Sequence, residues 1–289
     1  IVFAPSDPTI GYLIDGLGEI YKSTDSGASW SLVSTTSNLR WLSLAIDPSN
    51  SDNLYLGSSL GVYKSTDGGL NTTAINTGLP TVVGGHLNIY GGRYFISIHS
   101  RGLFYSDNRG LSWSATNFPT AQLIGQAGPR RGSISDWSNN SIFYMNSYNP
   151  DRVYKSTDGG INWTNINPTS TYMTGFIMDP LDGNKMMLYV YQPNYYSAYT
   201  FYKTLDGGNT WTNWISNEFT TALIVNGLRV DPNNFNRVYA YAIIGGIYIS
   251  TDGGATWSES NTGITCTDCK YIDDLIIDRT NPSILYAGN

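Results

Sequence analysis

One octapeptide recurs six times in this chain. It reads STDSGASW at 23–30, STDGGLNT at 65–72, SDNRGLSW at 106–113, STDGGINW at 156–163, TLDGGNTW at 204–211 and STDGGATW at 250–257. Each copy follows a short apolar or aromatic run, such as Val153-Tyr154 or Phe201-Tyr202, and precedes renewed polar–apolar alternation. That is the pattern of strand, tight turn, strand. The acidic position (Asp25, Asp67, Asp158, Asp206 and Asp252, with Asn108 in the third copy) offers an oxygen to backbone N–H groups about two residues on, as in an Asx-type turn. The glycine two places later supplies a positive φ without a steric cost. Trp30, Trp113, Trp163, Trp211 and Trp257 put a large ring on the returning strand, and Thr72 replaces it in the second copy. Turn chemistry and packing account for every recurring residue, so the octapeptide reads as a folding device.

The acidic or amide residues fall at 25, 67, 108, 158, 206 and 252, at intervals of 42, 41, 50, 48 and 46. A second phrase precedes most copies: a strand ending in Asp-Pro, a polar turn, then another strand. It appears as LSLAIDP at 42–48 with LYLG at 54–57, as FIMDP at 176–180 with MLYV at 187–190, and as LRVDP at 228–232 with RVYA at 237–240. The proline removes a donor and stops the strand. Each unit therefore reads strand A, turn, strand B, turn, strand C, octapeptide, strand D. Four strands repeated every 40–50 residues mark an all-β chain folded as a β-propeller. Six units are complete, and 274–289 (DLIIDRTNPSILYAGN) supplies only the A–B pair of another. The expectation is one domain over 1–289, seven-bladed with an incomplete last blade; six blades is the alternative. An incomplete blade leaves an open strand edge, with three readings: a short blade, a blade whose remainder lies beyond Asn289, or a blade completed by strands of a second chain.

The octapeptide resembles the Asp box, or BNR repeat, of sialidases, xyloglucan-cleaving glycoside hydrolases, sortilin-type receptors and a photosystem assembly factor. The resemblance implies a structural turn on the outer hairpin of a propeller blade, away from the active face. It implies fold and not catalysis. The sialidase pattern of an early Arg-Ile-Pro, an arginine triad and a Tyr–Glu pair is missing: the first arginine is Arg40, and glutamate occurs only at 19, 218 and 259. Xyloglucan-cleaving relatives place their cleft between two propellers in a far longer chain. Sortilin-type receptors have more blades and a Cys-rich module.

Composition narrows the partner class. Charged residues make up 13% of the chain, about half the usual ~25%, and the net charge of −6 disfavours a nucleic-acid partner. No apolar run reaches the ~18 residues of a membrane span. With 22 tyrosines and 31 glycines, the chain reads as a neutral-polar, extracellular or cell-surface protein, and its opening at Ile1 as a mature secreted form. Cys266 and Cys269 lie within TCTDC. A local disulfide in an oxidising compartment is the expectation; a redox or metal pair is the alternative, with no second cysteine pair to complete a zinc site. Asn71, Asn139 and Asn162 begin glycan acceptor triplets.

Catalysis would need two carboxylates across a cleft. Asp47, Asp179, Asp231 and Asp278 occupy equivalent repeat positions, so an A–B turn role covers all four. Asp15, Asp136, Asp273 and Asp274 are less repetitive, and 273–274 is the one adjacent pair. The Tyr-rich 191–200 suits contact with sugar or protein, and Arg130-Arg131 suits either an anion or a solvated loop tip. No catalytic residue, metal or cofactor is assigned. The expectation is a structural or interaction propeller that binds itself, as a homo-oligomer, filament or tubule, or another extracellular macromolecule. A carbohydrate-active protein, either an endo-glycosidase or a non-catalytic glycan binder, is the alternative.

Overall fold

The computed structural model describes residues 1–36, 39–80, 85–90, 92–98, 101–119, 141–147, 152–168, 175–191, 199–216, 225–242, 245–264, 272–278 and 281–288. Every regular element among them is a β-strand. The first sheet joins β1 (Val2–Ala4), β2 (Asp7–Ile14), β3 (Glu19–Ser23) and β4 (Ser31–Thr35) in chain order. The second joins β5 (Trp41–Asp47), β6 (Asn50–Ser58), β7 (Gly61–Ser65) and β8 (Thr73–Ala74). The third joins β9 (Gly85–Tyr90), β10 (Arg93–Ile98), β11 (Gly102–Ser106) and β12 (Ser114–Ala115). β13 (Phe143–Ser147), β14 (Arg152–Ser156) and β15 (Thr164–Asn165) form a three-stranded sheet, whose expected strand A falls outside the described residues. β16 (Gly175–Asp179), β17 (Asp182–Tyr191), β18 (Tyr199–Thr204) and β19 (Thr212–Ser216) form the fifth. β20 (Val225–Asp231), β21 (Asn234–Ala242), β22 (Gly246–Ser250) and β23 (Ser258–Glu259) form the sixth. β24 (Asp274–Ile277) and β25 (Leu285–Gly288) form a two-stranded seventh, the A–B pair expected from 274–289.

The A–B turns are tighter than the sequence suggests. Asp47 pairs Asn50, Asp179 pairs Asp182 and Asp231 pairs Asn234, each across two residues, the first of them proline. Proline presets φ for such a turn. The polar residues 50–53, read from sequence as turn, therefore open strand β6, and a bulge at each aspartate restores the register.

Cores lie between successive sheets. Residues group into two compact units, one of Ile1–Asp136, Asn140–Tyr148 and Ser156–Thr164, the other of Trp137–Asn139, Asn149–Lys155 and Asn165–Asn289. In the first unit, Tyr12 and Ile20 of sheet one pack against Ile46, Leu54 and Leu56 of sheet two. Tyr55 and Val62 then meet Tyr94, Ile96 and Phe104 of sheet three. In the second unit, Met187 and Phe201 meet Leu228 and Val238, and Tyr239 and Tyr241 meet Leu275. Strand residues thus alternate between the sheet before and the sheet after, so both faces are apolar. The octapeptides and the A–B turns sit at one end of the strands.

Candidate functional site

Each octapeptide builds the same hydrogen-bonded turn. The hydroxyl at its first position accepts the N–H of the glycine four residues on, at 2.9 Å for Ser23 and Gly27, 2.8 Å for Ser156 and Gly160, and 2.7 Å for Ser250 and Gly254. That hydroxyl donates to the carboxylate, as Ser156 Oγ does to Asp158 Oδ1 at 2.8 Å. The carboxylate then accepts the N–H four residues on, from Ser29, Asn71, Asn162, Thr210 and Thr256 at 2.9–3.0 Å. Its other oxygen takes the side chain of the same residue, for example Thr210 Oγ1 at 2.6 Å. Asn108 keeps the geometry: its Oδ1 accepts the Ser112 N–H and its amide donates to Ser112 Oγ.

This differs from the expected bond two residues on, and the backbone gives the reason. Both residues after the acid have positive φ, as in Gly159 (75°) and Gly160 (86°). Two left-handed residues in succession curl the chain so that the second N–H faces the hydroxyl and the fourth-position N–H faces the carboxylate. Ser26 and Arg109, the two non-glycine residues with positive φ among those described, both stand directly after the acid or amide. The hydroxyl residues Ser23, Ser65, Ser106, Ser156, Thr204 and Ser250 are all buried. Sequence reasoning gave them no role, although a Ser or Thr in all six copies was the signal. Replacing Ser156 with alanine leaves the buried Gly160 N–H without its acceptor and is expected to cost about 1–3 kcal/mol in urea unfolding. Ser156→Thr should restore most of it, since Thr204 fills that position in the fifth copy.

The boxes hold their carboxylates ionised. Hydrogen bonds from Ser29, Asn71 and Thr210 pull Asp25, Asp67 and Asp206 down to about 2. At Asp252, slight burial opposes the bonds from Thr256, which still bring it to about 2. At Asp158 burial likewise opposes the bonds from Asn162, and the carboxyl stays below its ordinary value. Trp163 and Trp257 each return their indole N–H to a box glycine carbonyl, while Trp113 donates to Ile75 O and Trp211 to both Ile166 O and Gly208 O. Trp30 donates to Gly27 O but remains half-buried. Asn71 and Asn162 use their side-chain amides on Asp67 and Asp158, so these two acceptor triplets are part of the turn.

The other carboxylates are structural too. Asp47, Asp179 and Asp231 are buried and accept the N–H groups of Ser49, Leu181 and Asn233, closing the A–B turns. Arg109, Lys185 and Arg237 stand 3.7, 3.6 and 3.3 Å from them. Burial raises the Asp47 pKa, but the Ser49 bonds and Arg109 outweigh it and hold the carboxyl below its usual range. Asp278 accepts the Asn281 N–H. Asp15 closes the β2–β3 turn by accepting from Leu17 and Glu19. Asp274 pairs with Arg229 at 2.5 Å, and Arg229 Nε donates to Leu275 O at 2.7 Å, so this acid ties sheet seven to sheet six. Glu19 and Glu259 accept from Tyr21 and Tyr248. Among the described residues, no three His, Cys, Asp or Glu side chains converge as metal ligands would. Cys266, Cys269, Asn139, Asp136, Arg130 and Arg131 lie outside the described residues, as do 192–198 of the Tyr-rich stretch. Tyr199 of that stretch is buried and accepts the Val225 N–H, which makes it core rather than contact surface.

Known proteins share this fold. A family model described as Sortilin-Vps10 (sortilin, neurotensin receptor 3) matches residues 151–287, a little under half of the chain. A xyloglucanase of Hypocrea jecorina (strain QM6a) is 23% identical over 272 residues, covering 89% of this chain and 25% of that protein. The GH74 enzyme of Niastella koreensis superposes with a TM-score of 0.62 at 22% identity, over 88% of this chain and 45% of its own. YCF48 bound to D1 peptide superposes with a TM-score of 0.62 at 15% identity, over 99% of this chain and 92% of its own. This chain therefore spans a quarter of the curated relative and most of the peptide-bound one. At these identities the likeness is one of fold. Six octapeptide turns, seven antiparallel sheets among the described residues and these neighbours together make the chain a β-propeller of the Asp-box (BNR-repeat) type.

Proposed function

We propose that this chain is an extracellular interaction propeller, which binds a macromolecular partner and does not turn over a polymer. One observation carries the reading: Asp47, Asp179 and Asp231 close turns, Asp274 joins two sheets, and Glu19 and Glu259 accept from neighbouring tyrosines, so these six acids are engaged in the fold. A glycosidase needs two carboxyl groups facing one another across the scissile bond. The match in length to a propeller solved with a bound peptide supports the same reading. Self-association is one form such binding takes, and a molar mass that rises with concentration in light scattering is its signature. A second reading, a carbohydrate-active protein, is favoured by the similarity to xyloglucanase along 89% of the chain. Incubation with xyloglucan separates the interaction reading from the catalytic form of the second. The expected result is no new reducing ends above buffer, and their release would overturn the interaction reading.

A further inference from the structure

Lys22 and Lys203 hold the same place in their repeats, one residue before the box hydroxyl. Each reaches to the start of strand B of the next sheet, to the fifth residue after the buried aspartate: Asp52 of β6 after Asp47, Asn236 of β21 after Asp231. Both residues also play the same backbone part, accepting the N–H of Gly68 and of Gly253. Lys22 Nζ meets the Asp52 carboxylate at 3.1 Å. Lys203 Nζ meets only an amide oxygen there, Asn236 Oδ1 at 3.3 Å. It also lies 5.2 Å from the Phe235 ring and beside the backbone at Gly253, with Asp252 and Lys185 within electrostatic reach. The box carboxylate that acts on it, Asp252, already accepts from Ser250, Ala255 and Thr256. Burial pulls the Lys203 ammonium below the ordinary lysine value, with Asp252 acting the other way. Where sheets one and two answer the cation with a carboxylate, sheets five and six answer it with a neutral group.

The ammonium faces a groove of about 440 Å³ in the second unit. Phe235 forms its floor and is buried, while Leu181 and Leu205 on its rim are 71% and 62% exposed. Lys185, also on the rim, is matched by Asp179 at 3.6 Å and Asp182 at 3.3 Å. We propose that this groove docks an acidic–apolar peptide segment of a partner protein. The partner's carboxylate supplies beside Lys203 the charge that Asp52 supplies beside Lys22 and that Asn236 lacks, and its leucine-sized side chain covers Leu181 and Leu205. A charge-assisted bond supplies orientation, and the exposed leucines supply area. A sugar acid fits less well, because stacking needs an open aromatic face and the one ring here is covered. The proposal rests on the interaction reading and names a site for it.

The test uses the full chain and a fluorescein-labelled Leu-Asp-Leu-Asp-Leu amide, followed by anisotropy. Binding is expected to weaken about tenfold in Lys203→Met and in Asn236→Asp, the latter supplying internally the carboxylate that the peptide brings. Asn236→Asp should keep or raise the thermal midpoint, which separates loss of the site from loss of the fold. The Leu-Asn-Leu-Asn-Leu probe should bind about tenfold more weakly than its acidic counterpart. Wild-type failure to bind the acidic peptide would overturn the proposal, as would unchanged binding by Asn236→Asp. Digalacturonate competing with the same sensitivity to Asn236→Asp would assign the groove to an acidic sugar instead. A failed groove with no xyloglucan hydrolysis removes this site and leaves the interaction reading standing.

Discussion

Gly160→Ala is expected to lower the unfolding free energy by about 2–5 kcal/mol, against about 1–2 kcal/mol for Gly263→Ala. The two glycines have nearly the same backbone, with φ of 86° and 92°. Each alanine would therefore carry the same left-handed strain. Their surroundings differ. A Cβ on Gly263 meets nothing within 4 Å, whereas one on Gly160 lies 2.6 Å from two ring carbons of Phe95. That ring is fully buried and packs edge-on against Phe143 at 5.4 Å, so it has nowhere to retreat. The excess for Gly160 measures how tightly one repeat's turn presses on the sheet before it. The same contact recurs at Gly69 against Ile20, Gly110 against Ile75 and Gly208 against Ile166. Urea unfolding followed by tryptophan fluorescence gives both values. Equal destabilisation by the two variants would show that box glycines are needed for their φ alone.

The second large effect is expected in acid. Asp25, Asp67, Asp206 and Asp252 sit at about 2 in the fold, against about 3.9 in an unfolded chain. A depressed carboxyl adds stability that is complete above the unfolded value and is lost as pH falls through the folded one. Stability should therefore be level from pH 7 to about 5 and fall steeply between about pH 4 and pH 2, as several boxes take up protons together. The third box carries Asn108 and adds nothing to this slope. Asp206→Asn should remove one box from the slope while keeping the turn, because Thr210 can present its hydroxyl oxygen to the new amide as Ser112 does to Asn108. Unfolding free energies measured at several pH values check this. A slope unchanged by Asp206→Asn would place the acid sensitivity elsewhere.

Much of the fold was legible because its devices are local. The octapeptide closes through bonds between residues two and four apart, all within one copy, so counting copies counted the six sheets that carry a C–D turn. The Asp-Pro phrases marked the A–B turns for the same reason, although the turns proved to be two residues long. The candidate carboxylates were legible only by type. That Asp274 is bound to Arg229, 45 residues away, follows from stacking one sheet on the next. The roles of the box serines were missed because a small hydroxyl shows no period of hydrophobicity; its importance comes from being buried beside a glycine N–H.

The octapeptide by itself determined the class of fold, the number of its complete copies and the place of each tight turn, since a turn of this kind is written within eight residues. The tertiary structure decided what those turns press against and which charges they leave unanswered. Lys22 and Lys203 are the same residue at the same place in the repeat, yet one faces Asp52 and the other Asn236, and that pairing joins residues 30 and 33 positions apart on different sheets. A cation's balance depends on what the neighbouring sheet places within a few ångströms of it, and only the stacking of sheets sets that distance.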